Sequence, residues 1–346
     1  MQHISKPWNR QWGPGLSPYP LERLLQSAEE TNLLMFALKK ELFEVLDGGA
    51  LTAAELADEW GASARKTAAV MDVLCAMGLL EKKDKHYFNS EISSVFLRRE
   101  SPFAMHDMLW RRFHRLLSPE QLEEAITDTA SKETCYNRAA KDPSYFTRIM
   151  VQNALVSGSI KRMGYLVAKH PRFKQFRKML DLGGSHGLYT VAICQLHSRL
   201  KGVVFDLPEI SNITTNYLHL YGMQQQVSVM GGDLFDDPLG EGYDLVLAVN
   251  VLHGSPDKIR QALRKIYRAM NNEGVAFFQH RYLDRKRTSP RRSVLFQLQR
   301  SLQVDTFYLP SLQEFMETAI ITGFTVTGIF RFAEGDTCLR LEKWQP

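Results

Sequence analysis

The feature that most narrows what this chain can become is the stretch 177–196. There the apolar run Met179-Leu180-Asp181-Leu182 passes directly into Gly183-Gly184-Ser185-His186-Gly187 and then into helical apolar spacing from Leu188. Strand, glycine turn and helix in immediate succession let the backbone turn tightly and approach a ligand, and the start of the helix presents amides without internal partners. The glycine run alone is shared with dehydrogenases and many α/β turns. Its context adds more: further apolar runs at 202–206, 227–230, 243–249 and 274–280 alternate with helical stretches, one of them from about 256 to 270. That alternation predicts an open parallel sheet with helices between its strands.

Ligands of such sheets bind outside the carboxyl ends of the strands, and Gly183, Asp206, Asp233, Asn250 and His253 all fall there. Asp206 follows the glycines by about 20 residues, a spacing at which a carboxylate accepts both hydroxyls of a ribose. A nucleoside-containing cofactor is therefore expected, with Asp233 placed to contact an adenine amine.

The first half reads differently. Apolar residues from Leu24 to Leu46 recur at the helical period, and Thr52 with Glu55 forms a capping-box signature that starts another helix. Gly61-Ala62-Ser63 turns into a helix over 64–77 ended by Gly78, and short extended runs then flank Lys82-Lys83-Asp84-Lys85. This is a winged-helix pattern. Its would-be recognition helix offers mainly Arg65, Lys66 and Asp72, too few cations to read DNA well, so packing or dimerisation is expected. Residues 104–165 are again helical in period.

The bulk numbers suit a soluble globular protein of about two domains: 346 residues, 44% hydrophobic and 23% charged. Lys and Arg exceed Asp and Glu by only 43 to 38, which gives no argument for nucleic acid. Cys75, Cys135, Cys194 and Cys338 lie far apart without metal-ligand spacing, as expected of reduced thiols. No stretch reaches the roughly 18 apolar residues of a membrane span, and the amino-terminal segment with Trp8 and Trp12 has no apolar leader core. A cytoplasmic protein is expected.

At this point a resemblance carries names. Leu180-Asp181-Leu182-Gly183-Gly184, Val204-Phe205-Asp206-Leu207-Pro208-Glu209, Gly231-Gly232-Asp233-Leu234-Phe235 and Val251-Leu252-His253 resemble the successive motifs of the small-molecule O-methyltransferases related to caffeic acid, hydroxyindole and polyketide O-methyltransferases. The resemblance spans nearly the whole chain. It implies an α/β fold, a Rossmann-like class I methyltransferase sheet with a reversed final strand (candidates 324–330 and 337–344), preceded by an all-helical winged-helix-like dimerisation domain. The expected division is 1–100 for dimerisation, 101–170 for a helical linker contributing to the substrate pocket, and 171–346 for the catalytic domain.

The cofactor it implies is S-adenosyl-L-methionine, released as S-adenosyl-L-homocysteine. Asp181, Gly183, Asp206 and Leu207 would hold its methionine and ribose parts, and Gly232, Asp233, Leu234 and Asn250 would complete the site. His253 matches the family's catalytic base, and a histidine is chemically suited to take a hydroxyl proton during transfer. The expected product is an O-methylated, natural-product-type small molecule, made by a homodimer that engages neither nucleic acid nor membrane.

Two departures are visible. Gly254-Ser255 stands where many members have Asp-Trp, and His280 with Arg281 stands where the family places a glutamate near the catalytic histidine. His280 is accordingly a second catalytic candidate, and His253 with His280 could instead begin a metal site, although no third ligand is placed. C-methylation, methyl-independent chemistry on the same fold, a DNA-binding regulator and a nicotinamide dehydrogenase are the alternatives. For the acceptor, Phe146, Met150 and Asn153 on a linking helix and Phe296 and Phe307 nearer the carboxyl end form a candidate planar wall. Arg281, Arg285, Lys286, Arg287, Arg291 and Arg292 crowd one loop against Asp284 alone, either as a solvated loop or as a capture site for an anionic substrate or carrier.

Overall fold

The computed structural model of the protein describes residues 17–127, 142–302, 307–332 and 335–343, and the chain divides into two compact units, 1–116 and 117–346. Trp8, Trp12 and Cys135 lie outside the described residues.

The first unit starts with a long helix, Tyr19–Lys39, and a short one, Leu42–Val45. The Thr52 hydroxyl accepts the Glu55 amide while Glu55 accepts the Thr52 amide at 2.7 Å, which starts the helix Ala53–Trp60 as the sequence predicts. Helix Ala64–Ala76 follows, and Gly78 adopts a left-handed φ of 72° just beyond it. Three short strands, β1 (Leu51–Thr52), β2 (Leu80–Lys83) and β3 (His86–Asn89), pair antiparallel in the order β1-β3-β2. The unit is thus not purely helical, because the wing pairs with a strand ahead of the first capped helix. Asp72, from the would-be recognition helix, accepts hydrogen bonds from Lys82 (2.6 Å) and the Tyr87 hydroxyl (2.9 Å), tying helix to wing. Leu38, Leu42, Phe43, Leu56, Met71, Leu74 and Tyr87 form the core.

The second unit is built on a seven-stranded sheet in the order β6-β5-β4-β7-β8-β10-β9. Its strands are β4 (Lys178–Leu182), β5 (Lys201–Asp206), β6 (Val227–Gly231), β7 (Tyr243–Val249), β8 (Met270–Arg281), β9 (Phe324–Arg331) and β10 (Asp336–Lys343). The first five run parallel, and β10 lies antiparallel between β8 and β9, setting Asp336 opposite Arg281 and Thr337 opposite His280.

Alternate residues of the central strands feed two cores. Met179, Leu245, Leu247, Val275 and Phe277 pack with Met163, Ile193 and Leu218 on one face, and Leu180, Val246, Ala248, Ala276 and Phe278 pack with Ile259, Leu263 and Phe315 on the other. Both faces of these strands are covered, which is why the sequence runs apolar without alternation. The helix Pro256–Ala269 ends where Met270 turns to extended backbone, so β8 begins there, ahead of the 274 start that its apolar run suggests. Among the described residues no helix is long and apolar enough to cross a membrane.

Candidate cofactor and acceptor site

The turn after β4 is shaped by close approach. Gly183 has φ of 63°, and a Cβ on it would lie 2.3 Å from Cγ2 of Val251, so the end of β4 sits directly against the segment leaving β7. Gly187, φ 70°, then leads into the helix Leu188–Gln195. Between them the Ser185 amide donates to Oδ2 of Asp206 at 2.8 Å, and the Leu207 amide donates to Oδ1 at 2.8 Å. Burial raises the Asp206 pKa, and these two amides oppose the rise. Each carboxylate oxygen retains accepting capacity beyond its one amide, which is the donor–acceptor match a vicinal diol requires.

Around Asp206 the predicted neighbours assemble. The Gly232 amide donates to the Asp206 carbonyl at 2.9 Å, half-buried Leu207 precedes the helix Pro208–Leu220, and Asp233 is held by the Phe235 amide at 2.7 Å with half-buried Leu234 beside it. Asn250 stands exposed beyond β7 with a left-handed φ of 55°. An acid at the tip of β5, a second at the tip of β6 and an unobstructed glycine turn fit a nucleoside-bearing cofactor.

Asp181 is placed otherwise. Only 1% exposed, its carboxyl accepts the Thr190 hydroxyl at 2.7 Å and lies beneath Gly184, so it braces the turn from the core side and does not face the crevice. Burial lifts its pKa to about 7. The sequence reading also passed over His186 as a side chain: it is buried in the turn, its Nδ1 accepts the Leu188 amide at 3.0 Å, and desolvation holds it to about 4, so it is a neutral wedge stacked on Tyr189.

Beyond β7, His253 meets His280 edge to face with ring centres 4.5 Å apart. His280 is 3% exposed, and its Nε2 lies 3.0 Å from the Leu252 carbonyl. A carbonyl only accepts, so Nε2 carries the proton towards it, and Nδ1 lies 3.3 Å from Oδ1 of Asn250. Burial, reinforced by His253, holds His280 well below the ordinary histidine range. His280 is thus enclosed by its neighbours, with its ring set against that of His253. Among the described residues no group of three His, Cys, Asp or Glu is placed to hold an ion.

His253 is half-buried between Phe307 (centroids 5.6 Å apart) and Phe296 (6.2 Å), which meet each other edge to face. Arg281 lies over the Phe296 ring at 4.6 Å and Arg300 over Phe307 at 5.3 Å. Burial lowers the His253 pKa to about 4, and both guanidiniums add to that effect against a backbone hydrogen bond with Asn250. Three residues that the sequence marks for the acceptor, Arg281, Phe296 and Phe307, are thus gathered on the histidine. Phe146, Met150 and Asn153 share a half-buried stripe of the helix Pro143–Val156, beside its core-facing Thr147, Val151 and Ala154.

The basic loop divides into two sets. Arg287 bonds the Leu309 carbonyl and the Tyr308 hydroxyl, Asp284 accepts the amides of Thr288 and Ser289, and Arg281 pairs with Asp336, so these residues hold the loop together. Arg285, Lys286 and Arg291 point to solvent. Asp336 and Arg300 were not foreseen, and the register of β8 with β10 is the signal that locates Asp336.

Residues 122–324 match the model of the O-methyltransferase domain, and residues 22–99 match that of the O-methyltransferase dimerisation domain. A human protein described as a probable bifunctional dTTP/UTP pyrophosphatase/methyltransferase is 27% identical over 310 residues, 84% of this chain and 48% of its own. The 3-hydroxy-5-methyl-1-naphthoate 3-O-methyltransferase of Streptomyces sahachiroi is 24% identical over 282 residues, 79% of this chain and 80% of its own. The chain spans about half of the human relative and just under two thirds, 64%, of an archaeal one. Among solved structures, an O-methyltransferase family protein from Burkholderia thailandensis superposes with a TM-score of 0.80 at 21% identity, covering 95% of this chain and 99% of the other, a likeness of fold.

Proposed function

The chain belongs to the O-methyltransferase family, its catalytic domain joined to that family's dimerisation domain, and on that premise we propose that it methylates a hydroxyl of a small planar acceptor. The donor is S-adenosyl-L-methionine, which when bound supplies an electrophilic methyl group and leaves as S-adenosyl-L-homocysteine. The observation that carries this reading is the arrangement of two sites at one sheet edge: the Asp206 carboxylate set on two backbone amides, and His253 set in an aromatic frame beyond the adjoining strand tips.

In this reading Asp206 and Leu207 hold the ribose, Asp233, Leu234 and Gly232 flank the adenine, and Gly183 with Asn250 gives room to the methionine part. Phe296 and Phe307 orient a flat ring so that its hydroxyl faces the methyl donor, since proximity and orientation supply much of the acceleration in a transfer of this kind. His253 takes the hydroxyl proton, with His280 holding its ring. Phe146, Met150 and Asn153 extend the acceptor wall. The naphthoate acceptor named for the Streptomyces sahachiroi relative supports a planar, hydroxylated ring. The dimerisation domain, together with Leu21, Leu24 and Leu25 exposed on its first helix, supports assembly as a homodimer.

Calorimetry with S-adenosyl-L-homocysteine and with NADH tests the cofactor assignment. Binding of the thioether alone supports the reading; binding of the dinucleotide alone replaces it with hydride transfer.

A further inference from the structure

The two rings that frame His253 reach it from different stretches of chain, and one side chain joins those stretches. Phe296 sits on the helix Arg291–Ser301, whereas Phe307 stands on an irregular segment that lies against that helix. Gln297, next to Phe296, bonds this segment twice. Its Oε1 accepts the Leu309 amide at 2.8 Å, and its Nε2 donates to the Phe307 carbonyl at 3.3 Å and to the Ser301 hydroxyl at 2.7 Å. One side-chain amide thus satisfies a donor and an acceptor of backbone that lies outside helix and strand. Burial alone is a weak anchor for it: Leu283, Phe307 and Leu309, with half-buried Val294 and Phe296, form a small cluster apart from the two cores of the sheet. The same segment also reaches the histidine's own turn, since the Tyr308 carbonyl accepts the Gly254 amide at 3.4 Å.

We propose that Gln297 is a positioning residue of the methyl-transfer site, holding Phe307 against Phe296 and His253 so that acceptor wall and histidine keep one geometry. The inference rests on the methyltransferase reading above and adds to it a residue that acts through Phe307. An amide suits this task because it both donates and accepts, and it brings no further charge to a histidine already flanked by the Arg281 and Arg300 guanidiniums. His253 is faced by His280 and Arg281 from β8, by Phe296 and Arg300 from the helix, and by Phe307, and Gln297 grips the last of these. Releasing Phe307 admits water to the imidazole. Burial is the largest cause of the lowered His253 pKa, so hydration moves its titration upward.

The test uses the full-length protein and follows the ring C–H signal of His253 by NMR, identified by its loss in His253→Gln. With His253 held to about 4, the wild-type signal should move by no more than about one tenth of its full amplitude between roughly pH 5 and 8. In Gln297→Met, which keeps the side-chain length and loses both bonds to the segment, the midpoint should rise by about one unit or more. Ser301→Ala, which removes the third partner and leaves those two bonds, should titrate as wild type. Should Gln297→Met fail to fold, Gln297→Asn, one methylene short, is read in its place with the same expectation. A wild-type signal that titrates fully in this window, a midpoint unmoved in the Gln297 variant even where stability falls, or an equal rise in Ser301→Ala would each overturn the inference. The titration needs no acceptor and no turnover. Failure of the wild-type protein to bind S-adenosyl-L-homocysteine in calorimetry therefore overturns the methyltransferase reading itself, and the histidine signal overturns only the role of Gln297.

Discussion

Arg281 and Asp336 face each other across the register of β8 and β10, 3.4 Å apart and each largely shielded from water, while the same guanidinium covers Phe296. Removing one partner of a shielded pair leaves the other charge uncompensated. Arg281→Ala should cost about 3 kcal/mol in denaturant unfolding, with the Arg281→Ala, Asp336→Ala double variant losing less than the two single losses summed. Full additivity would mean the pair is not coupled.

His253→Ala should lower turnover by roughly 10²–10⁴-fold, the usual contribution of a positioned proton acceptor, and leave S-adenosyl-L-homocysteine affinity unchanged in calorimetry. Wild-type turnover by this variant would remove His253 from the reaction.

Gly183→Ala puts a Cβ 2.3 Å from Val251 on a left-handed backbone. We expect a loss of about 1–3 kcal/mol of stability together with cofactor binding weakened beyond detection. Gly48→Ala, where a Cβ meets nothing within 4 Å, is the control and should bind cofactor normally.

Burial raises Asp181 from 3.8 to about 7, so the folded chain keeps a proton that the unfolded chain releases. The native state then binds more protons between pH 4 and 7, and stability falls as pH rises through that window, by about 1.4 kcal/mol per unit at most. Asp181→Asn should flatten this slope. A profile unchanged by the substitution would assign the effect to other groups.

Leu21 and Leu25, 69% and 71% exposed on the helix Tyr19–Lys39, are the places to interrupt self-association. In sedimentation the Leu21→Glu, Leu25→Glu variant should run as a monomer and the parent as a dimer; identical behaviour would move the interface elsewhere.

Much of this architecture is legible in the sequence because it follows from local rules. The capping box at Thr52, the apolar strands and the acid closing β5 each declare themselves within a few residues. What eludes sequence reading depends on which way a side chain turns. Asp181 sits at a strand tip like Asp206, yet the pleat sends it under the glycine turn to Thr190. His280 has the chemistry of a catalytic residue, but its neighbours enclose it. Asp336 reaches Arg281 only through a long-range strand pairing, and such contacts leave no periodic trace in the chain.

The reversal of β10 also has a practical side. Because that strand starts opposite Arg281 and runs back toward Val275, Lys343 emerges at the rim of the sheet away from the crevice. A tether fused behind it would anchor the protein to a sensor surface with its ligand-facing side toward the solution, the orientation that the binding measurements above require.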